Sequence, residues 1–116
     1  MAGELGDGFL VLSDAMLEGL GVPTSEIADA VEAAVRAEAA DGIFTAPKSA
    51  LLPGDGRYMM TTLSTSDAPD MTVVKSVMVS PRNPGRGLAG VEGNLLLQDS
   101  ETGRLRAVME AGWVTA

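Results

Sequence analysis

The sequence has 116 residues, no cysteine and no histidine, and its formal net charge is −8. These counts exclude disulfides, thiol catalysis, zinc sites built from cysteine or histidine, and any serine–histidine–acid triad. A chain of this length is expected to form one domain, 1–116, whose core needs no disulfide or metal. No apolar run is long enough to span a membrane and the acidic N-terminus is unlike a signal peptide, so we expect a cytoplasmic protein.

Negative charge is concentrated in the first 41 residues, which carry nine acidic side chains and one basic one. Residues 42–116 carry seven of each kind and are neutral overall. This distribution argues against nucleic acids and anionic membranes as partners, because both repel an acidic surface. We expect the acidic side chains to lie on solvated helix faces. Only the second part of the chain has basic groups to offer an anionic ligand.

The first third of the chain predicts one strand followed by two helices. Phe9–Leu12 is a short apolar run that is typical of a strand. Ser13 predicts the N-cap of a short helix over 14–20. Thr24 predicts the cap of a second helix, roughly 25–40, whose apolar positions fall on one stripe at the helical period. That stripe consists of Ile27, Val31, Ala34 and Val35.

From residue 43 onward the pattern changes to strands. A Pro-Gly-Asp-Gly turn at 53–56 predicts a hairpin of the strands 46–52 and 57–63, and the polar residues 64–69 predict a loop. The next strand, 71–79, is apolar on both faces, so we predict that it is central in its sheet. Because side chains alternate along a strand, one face of it carries Val73, Lys75, Val77 and Val79.

The C-terminal part predicts a loop and then a hairpin. Residues 81–90 contain two prolines and three glycines. The strands Val91–Gln98 and Leu105–Glu110 follow, joined by a polar turn at 99–103. This order of elements predicts an α+β fold in which N-terminal helices pack on a mostly antiparallel or mixed sheet. A strand at 105–112 would leave a free edge, and a second copy could cover it, so we predict a homodimer or higher homo-oligomer.

Lys75 is the most informative side chain because its neighbours on the same strand face are valines. A desolvated ammonium can act as a base, as a Schiff-base nucleophile or as an anchor for a carboxylate. The alternative is a lysine that protects an edge strand from aggregation, and composition alone favours it. Lys48, which follows Pro47, is a weaker candidate of the same kind.

The Gly-rich loop offers a second set of basic groups. Arg82 and Arg86 flank Asn83 there, and guanidinium groups with backbone amides can hold an anion, although a plain surface loop is the more common case. The turn at 99–103 has too few ligands for calcium, so we predict a hairpin turn there and no metal site. A place in the core or in a pocket wall is predicted for Tyr58, Met59 and Met60.

Taken together, these features resemble the ornithine cyclodeaminase/mu-crystallin family over residues 9–116. Four segments carry the resemblance by their order and spacing. They are the helix at 30–42 with Pro47-Lys48, the run VVKSV at 73–77, the loop at 80–88, and the run LLLQDSETGRLRAVMEAGWVTA at 95–116. The resemblance implies a substrate-binding and dimerisation domain, which in the family is followed by a Rossmann domain for a nicotinamide cofactor.

The resemblance also implies roles for individual residues. In the family, a substrate carboxylate is held by a strand arginine after a proline, by a strand lysine, and by an arginine in a later R-T-A-A motif. Lys75 matches the strand lysine, whereas Lys48 replaces the first arginine and cannot form its bidentate fork. The cyclodeaminases use an acidic residue at a position near Tyr58 that is not acidic in this sequence. The family's usual Met-Pro pair is also changed here, because Thr61 stands in place of the proline. The catalytic candidates are therefore Lys75 and Tyr58, and the substrate-binding candidates are Lys48, Lys75, Met60, Arg82 and Asn83.

Three functions remain open. The family's nucleotide-binding domain and catalytic aspartate would lie beyond Ala116, so we expect this chain to bind no cofactor unless a separate nucleotide-binding domain supplies NAD. The preferred hypothesis is a stand-alone domain that binds a small carboxylate, keto or imino compound and performs cofactor-independent cyclase, isomerase or lyase chemistry with Lys75. The alternatives are the substrate-binding half of a split or truncated NAD-dependent enzyme, and a non-catalytic binding or structural oligomer.

Overall fold

A computed structural model describes residues 3–5 and 8–115, the first of these segments for its backbone only. The described strands are β1 (Gly3–Leu5), β2 (Phe9–Leu12), β3 (Ile43–Thr45), β4 (Ser49–Leu51), β5 (Tyr58–Asp67), β6 (Asp70–Val79), β7 (Val91–Gln98) and β8 (Leu105–Glu110). The helices are α1 (Asp14–Gly19), α2 (Thr24–Ala39) and α3 (Gly112–Thr115), and Pro84–Arg86 forms a single turn of 3-10 helix. The predicted α+β class is confirmed.

All eight strands belong to one mixed sheet with the order β1-β2-β8-β7-β6-β5-β3, and β4 pairs with the other end of β5. β6 lies between β5 and β7 and pairs antiparallel with both, so the prediction of a central strand is confirmed. The register places Lys75 between Thr62 of β5 and Leu95 of β7. Residues that are directly opposite in a sheet share a face, so these three side chains lie on one side.

We call that side the lysine face and the other side the opposite face. The core lies on the lysine face, where Leu95, Ala107 and Ala111 are at most 5% exposed. The opposite face carries an apolar row that crosses five strands, formed by Leu63, Val74, Leu96, Val108 and Val11. Three members of this row, Leu63, Leu96 and Val11, remain 37–47% exposed. The most deeply buried residues of the sheet thus lie on the lysine face, whereas the apolar row of the opposite face is only partly covered by the described chain.

The two longer helices differ in how they are anchored. Ser13 caps α1 as predicted, because its hydroxyl accepts a hydrogen bond from the Met16 amide at 3.2 Å. α2 is capped at Pro23 and not at Thr24, which is its first helical residue, so that detail of the prediction is wrong. Proline has the right φ for a helix start and no N–H to satisfy. α2 contacts β3, but Val31 and Val35 of its apolar stripe remain about 60% exposed.

The predicted loop at 64–69 is wrong. β5 continues through Asp67, and only Ala68 and Pro69 turn the chain into β6. The polar residues of this segment pair across the strands instead of facing a loop. Thr65 and Thr72 are directly opposite, and their hydroxyls are 2.8 Å apart. Such a cross-strand threonine pair stabilises a sheet although its sequence looks like that of a turn.

Two further predictions about strands are wrong. The first strand of the predicted hairpin covers only Ser49–Leu51 and not 46–52, because Pro47 has no N–H to donate to a ladder. Lys48 therefore precedes a strand and does not lie within one. The hairpin itself is confirmed, since β4 pairs antiparallel with β5. The last strand is also not an edge, since β2 pairs with β8 in parallel, with Leu10 opposite Ala107. The argument for an oligomer from a free edge at β8 fails.

A hydrogen-bonded clamp joins the first helix to the last. The Asp14 carboxylate accepts a hydrogen bond from the Trp113 amide at 2.8 Å, and the Asp14 amide donates to the Glu110 carboxylate at 2.9 Å. α3 has only four residues and would not be stable alone. The clamp supplies an acceptor for an amide at its N-terminus, where an anion is also favoured by the helix dipole.

We expect the Asp14→Ala substitution to loosen α3. The loss of a capping acceptor costs about 0.5–2 kcal/mol. Urea unfolding measures that loss, and Trp113, the only tryptophan, reports locally through its fluorescence. Asp29→Ala is the matched control, because Asp29 is exposed on α2 and its side chain makes no hydrogen bond with the described residues. Equal stability of the two variants would contradict the clamp.

Candidate functional site

A cavity of about 260 Å³ opens on the lysine face where α3 meets β5, β6 and β7. Its walls are formed by Met60, Lys75, Val77, Val91, Gly93, Ala111, Gly112 and Thr115. Lys75 supplies the only ionisable side chain of this lining, and Thr115 supplies the only hydroxyl. The remainder is apolar, as is usual for a site in which a few polar groups orient a small ligand.

Strand alternation fixes the position of Lys75. Val73 and Val77 precede and follow it on the same face of β6, so its side chain must leave the sheet between apolar neighbours. The side chain is half-buried and makes no hydrogen bond or ion pair with residues 8–115. A partly desolvated cation gains most from a partner of opposite charge. The arrangement therefore suits a carboxylate bound next to the apolar wall.

The floor of the cavity depends on a close contact between β7 and the chain that follows β8. The Ala111 amide donates to the Gly93 carbonyl at 2.9 Å, and Ala111 is 1% exposed. A Cβ atom on Gly93 would lie 3.1 Å from the Ala111 Cβ and 3.3 Å from the Ser76 carbonyl oxygen. Only glycine gives this approach without displacement. Thr115 then donates from Oγ1 to the Ala111 carbonyl at 2.6 Å and closes α3 over the site.

Sequence reasoning missed Gly93, Ala111 and Thr115. The sequence did contain a signal for Gly93, because a glycine inside a strand often marks a place where another backbone comes close. Of the predicted substrate-binding residues, Met60 lies in the cavity wall with Lys75.

Tyr58 and Lys48 lie outside the cavity lining. Tyr58 is half-buried at the start of β5, opposite Val79, whose other neighbour Val91 belongs to the cavity wall. Lys48 is exposed and immediately precedes β4, where Ser49 is opposite Thr61. Extending that register by one residue places Lys48 near Thr62, the strand neighbour of Lys75. The structure thus brings Lys75 and Met60 together in one cavity, whereas Tyr58 and Lys48 lie near that cavity but outside its lining.

Arg82 and Asn83 lie in a different place. They line a second, larger cleft of about 550 Å³ that shares no residue with the Lys75 cavity. Met78 of β6 lies in its wall, and Met78 alternates with Val77, which faces the Lys75 cavity. The two openings are therefore on different sides of the sheet. The predicted substrate-binding residues do not form one site.

The loop before β7 has a spacing that sequence reasoning also missed. Residues 85–90 are Gly-Arg-Gly-Leu-Ala-Gly, the G-x-G-x-x-G pattern of dinucleotide-binding proteins. That pattern needs a helix after the glycines and a parallel sheet, whereas here a strand antiparallel to β6 follows. The amides of Arg86, Gly87 and Leu88 already donate to carbonyls within the loop. This segment does not fit a dinucleotide pyrophosphate.

Two further features are absent from the part of the chain that the structure describes. None of its helices is long and apolar enough to cross a membrane. Within the same residues, no group of three acidic side chains is arranged to hold a metal ion.

Comparisons with known proteins agree with this architecture. The model of the ornithine cyclodeaminase/mu-crystallin family matches residues 11–116. The chain is similar to an archaeal alanine dehydrogenase dimer with bound NAD, at 29% identity and a TM-score of 0.83 over 92% of this chain and 32% of that one. It is also similar to the Thermococcus litoralis Δ1-pyrroline-2-carboxylate reductase in complex with NADH and L-proline, at 25% identity and a TM-score of 0.82 over 90% of this chain and 32% of that one.

A probable ornithine cyclodeaminase from Bordetella pertussis Tohama I shows the same fold at 19% identity, with a TM-score of 0.76 over 93% of this chain and 32% of that one. No curated protein matches the sequence. The chain spans about a third (32%) of the length of these three solved structures.

We expect Gly93→Val to displace α3 and to destabilise the fold. The added Cβ atom alone would lie 3.1 Å from the Ala111 Cβ and 3.3 Å from the Ser76 carbonyl oxygen, and the two methyl groups of valine add further bulk; such overpacking costs about 1–3 kcal/mol. Asn94→Val is the matched control, because Asn94 is exposed at the next position of the same strand. Urea unfolding compares them, and the account is wrong if Gly93→Val is as stable as the control.

Proposed function

Because the chain belongs to the ornithine cyclodeaminase/mu-crystallin family, we propose that it is the substrate-binding part of an enzyme of that kind. Its ligand is a small amino or imino carboxylate held beside Lys75. The observation that supports this is the half-buried ammonium, without a partner among the described residues, in an otherwise apolar cavity. The carboxylate pairs with the ammonium in a charge-assisted hydrogen bond, and the carbon skeleton packs on Met60, Val77 and Val91.

The size of the cavity favours a compact ligand. Its volume of about 260 Å³ lies below the range that is usual for drug-sized molecules. A five-membered ring or a short aliphatic chain with one carboxylate would fill it. L-proline, which is present in the Thermococcus litoralis reductase structure, has this size and charge and is a suitable first probe.

A part of an enzyme is favoured over a complete cofactor-independent one. The cavity lining contains a single ionisable side chain, whereas acid–base chemistry needs a proton donor and an acceptor that both reach the substrate. Tyr58, the second catalytic candidate, does not line the cavity. A purely structural role would not account for a half-buried lysine in an otherwise apolar cavity. If the reaction uses a nicotinamide cofactor, residues outside this domain must hold it.

We also propose that two copies of the domain pair through their opposite faces. The chain exposes 7964 Å², whereas a compact monomer of this mass exposes about 5,900 Å². Its radius of gyration is 15.7 Å, against about 13 Å for a compact domain of this length. The excess is more than the roughly 800 Å² per partner that a stable interface buries. The apolar row of the opposite face is suited to pack against a second sheet.

The Lys75→Met variant tests the ligand site. Removing the charged partner of a carboxylate costs about ten-fold in affinity or more, since hydrogen bonds to charged groups contribute about 1.5–3 kcal/mol. Titration calorimetry with L-proline measures the loss, and prolinamide, which lacks the carboxylate, is expected not to bind. Lys48→Met is the matched control because Lys48 is exposed outside the cavity. If both lysine variants bind L-proline equally well, the proposed site is wrong.

The Leu96→Glu variant tests the pairing of copies. Leu96 lies in the middle of the apolar row, and an unpaired carboxylate buried there would weaken the dimer by about a hundred-fold or more. Sedimentation velocity is expected to show a dimer for the unmodified chain and a monomer for this variant. Leu88→Glu is the control, because Leu88 is equally apolar but lies in the loop before β7. A monomeric unmodified chain would contradict the proposal and assign the exposed face to another partner.

A further inference from the structure

We propose that the cleft around Arg82 is a second ligand site, which takes the phosphate group of inorganic phosphate or of a phosphate monoester. We call it the arginine cleft. It is lined by Asp55, Arg57, Met78, Ser80, Pro81, Arg82, Asn83 and Arg86, and its volume is about 550 Å³. The family match and the proposed function do not assign a role to it, and the inference does not depend on either.

The arginine cleft is positively charged. Three guanidinium groups and one carboxylate line the cleft, so it is positive by two charges in a chain whose net charge is −8. The side chains of Arg82 and Arg86 are exposed and make no hydrogen bond or ion pair with the described residues. A guanidinium offers donors in a planar fork that matches phosphate oxygens bidentately. A phosphate group carries about −1.5 to −2 at neutral pH and balances this excess better than a single carboxylate does.

The carboxylate in the cleft orients one of the arginines. Asp55 accepts from the Arg57 amide at 3.1 Å and from Arg57 Nε at 2.8 Å. The hydrogen bond from the Arg57 backbone, with a further contribution from its side chain, lowers the pKa of Asp55 below its usual value. Asp55 is therefore ionised at neutral pH and holds Arg57 at the rim. Arg82 and Arg86 are left to meet an incoming anion.

The arginine cleft is held in shape without a ligand. The loop that carries two of its arginines is closed at its base, where the Ser80 amide donates to the Gly90 carbonyl at 2.7 Å. Asn83 donates from Nδ2 to the Ala89 carbonyl at 3.0 Å and braces the middle of the loop. A rigid loop loses little conformational entropy on binding, which improves affinity.

A glycine fixes the second wall against the first. Gly56 adopts a φ of +91°, which L side chains rarely adopt, in the turn between β4 and β5. A Cβ atom there would lie 3.3 Å from Pro81 Cγ, so the turn and the loop are in close contact. The turn carries Asp55 and Arg57, and the loop carries Arg82 and Arg86. Their contact brings the three arginines to one opening.

The cleft is larger than a phosphate ion. Met78 and Pro81 give part of its wall an apolar surface, which would contact the organic part of a phosphate ester. The cleft and the Lys75 cavity lie on different sides of the sheet, and the cleft is at the Val79 end of β6, four residues along the strand from Val74 of the apolar row, so both ligands can be bound at once. This separation allows the two sites to be tested independently.

Binding to the unmodified chain is the first experiment. Inorganic phosphate and phenyl phosphate are titrated in a phosphate-free buffer and followed by calorimetry and by amide chemical shifts. The expected changes map to residues 55–57 and 80–87, and affinity falls as salt is added. Tighter binding of phenyl phosphate would support a phosphate monoester as the ligand, and equal binding would support free phosphate. The absence of saturable binding, or shifts confined to other residues, would overturn the proposal.

Variants assign the binding to the arginines. Arg82→Gln combined with Arg86→Gln is expected to weaken phosphate binding by about ten-fold or more, since two charge-assisted contacts are lost. Arg106→Gln removes a charge from the exposed side of β8 and is expected to leave binding within about two-fold of the unmodified chain. Lys75→Met is expected to leave phosphate binding unchanged, which separates this site from the proposed substrate site.

A third substitution keeps the charge and guards against misfolding. Arg82→Lys retains the positive charge but loses the bidentate fork, so a several-fold loss is expected even if the double variant is unstable. Phosphate binding that is as tight in Arg82→Lys and in the folded double variant as in the unmodified chain would overturn the proposal.

Discussion

The close approach of Ala111 to Gly93 is the contact on which the rest of the site depends. It brings the chain after β8 back onto β7, so that α3 covers the part of the sheet where Lys75 emerges. The Asp14 carboxylate holds α3 from the other side, and the parallel pairing of β2 with β8 positions α1 for that role. The N-terminal part of the chain thus holds α3 in place, and α3 with the strands β5 to β7 forms the cavity.

This contact also explains the chemistry of the cavity. A lysine in the middle of an open sheet would be fully solvated and would offer little selectivity. Under α3 the same lysine lies between Met60, Val77 and Val91, where an anion, if bound as proposed, would lose water and gain a direct ionic partner. The family match is the ground for proposing that the cavity binds a substrate. The identity of the ligand rests on the size, charge and apolar wall of the cavity.

Local patterns in the sequence predicted much of the fold. Alternation in β6 predicted the face of Lys75, and the Asp99–Gly103 turn predicted the β7–β8 hairpin, because both depend on residues that are close in the chain. The pairing of β2 with β8 was not predictable in this way, since it joins residues almost a hundred positions apart. The prediction of a loop at 64–69 was wrong for a related reason. The hydroxyls of Thr65 and Thr72 form a hydrogen bond to each other across two strands, and the sequence alone does not show that pairing.

The candidate site was predictable only in part. Lys75 and Met60, two of the predicted substrate-binding residues, line one cavity, whereas Arg82 and Asn83, predicted from the basic Gly-rich loop, line another. Residues that are close together along a strand need not share a face of the sheet, because successive side chains point to opposite faces. The contribution of Gly93 depends on a backbone that approaches from another part of the chain. No local pattern specifies that partner.

The nuclear Overhauser spectrum of the protein in solution tests the central contact most directly. The account predicts cross-peaks from the Ala111 methyl group to the Gly93 α-protons, and from the Lys75 side-chain methylene protons to protons of α3. If the Gly93 α-protons show no cross-peak to Ala111 and the Lys75 methylenes show none to α3, then α3 does not close the cavity. The substrate site described here would then not exist.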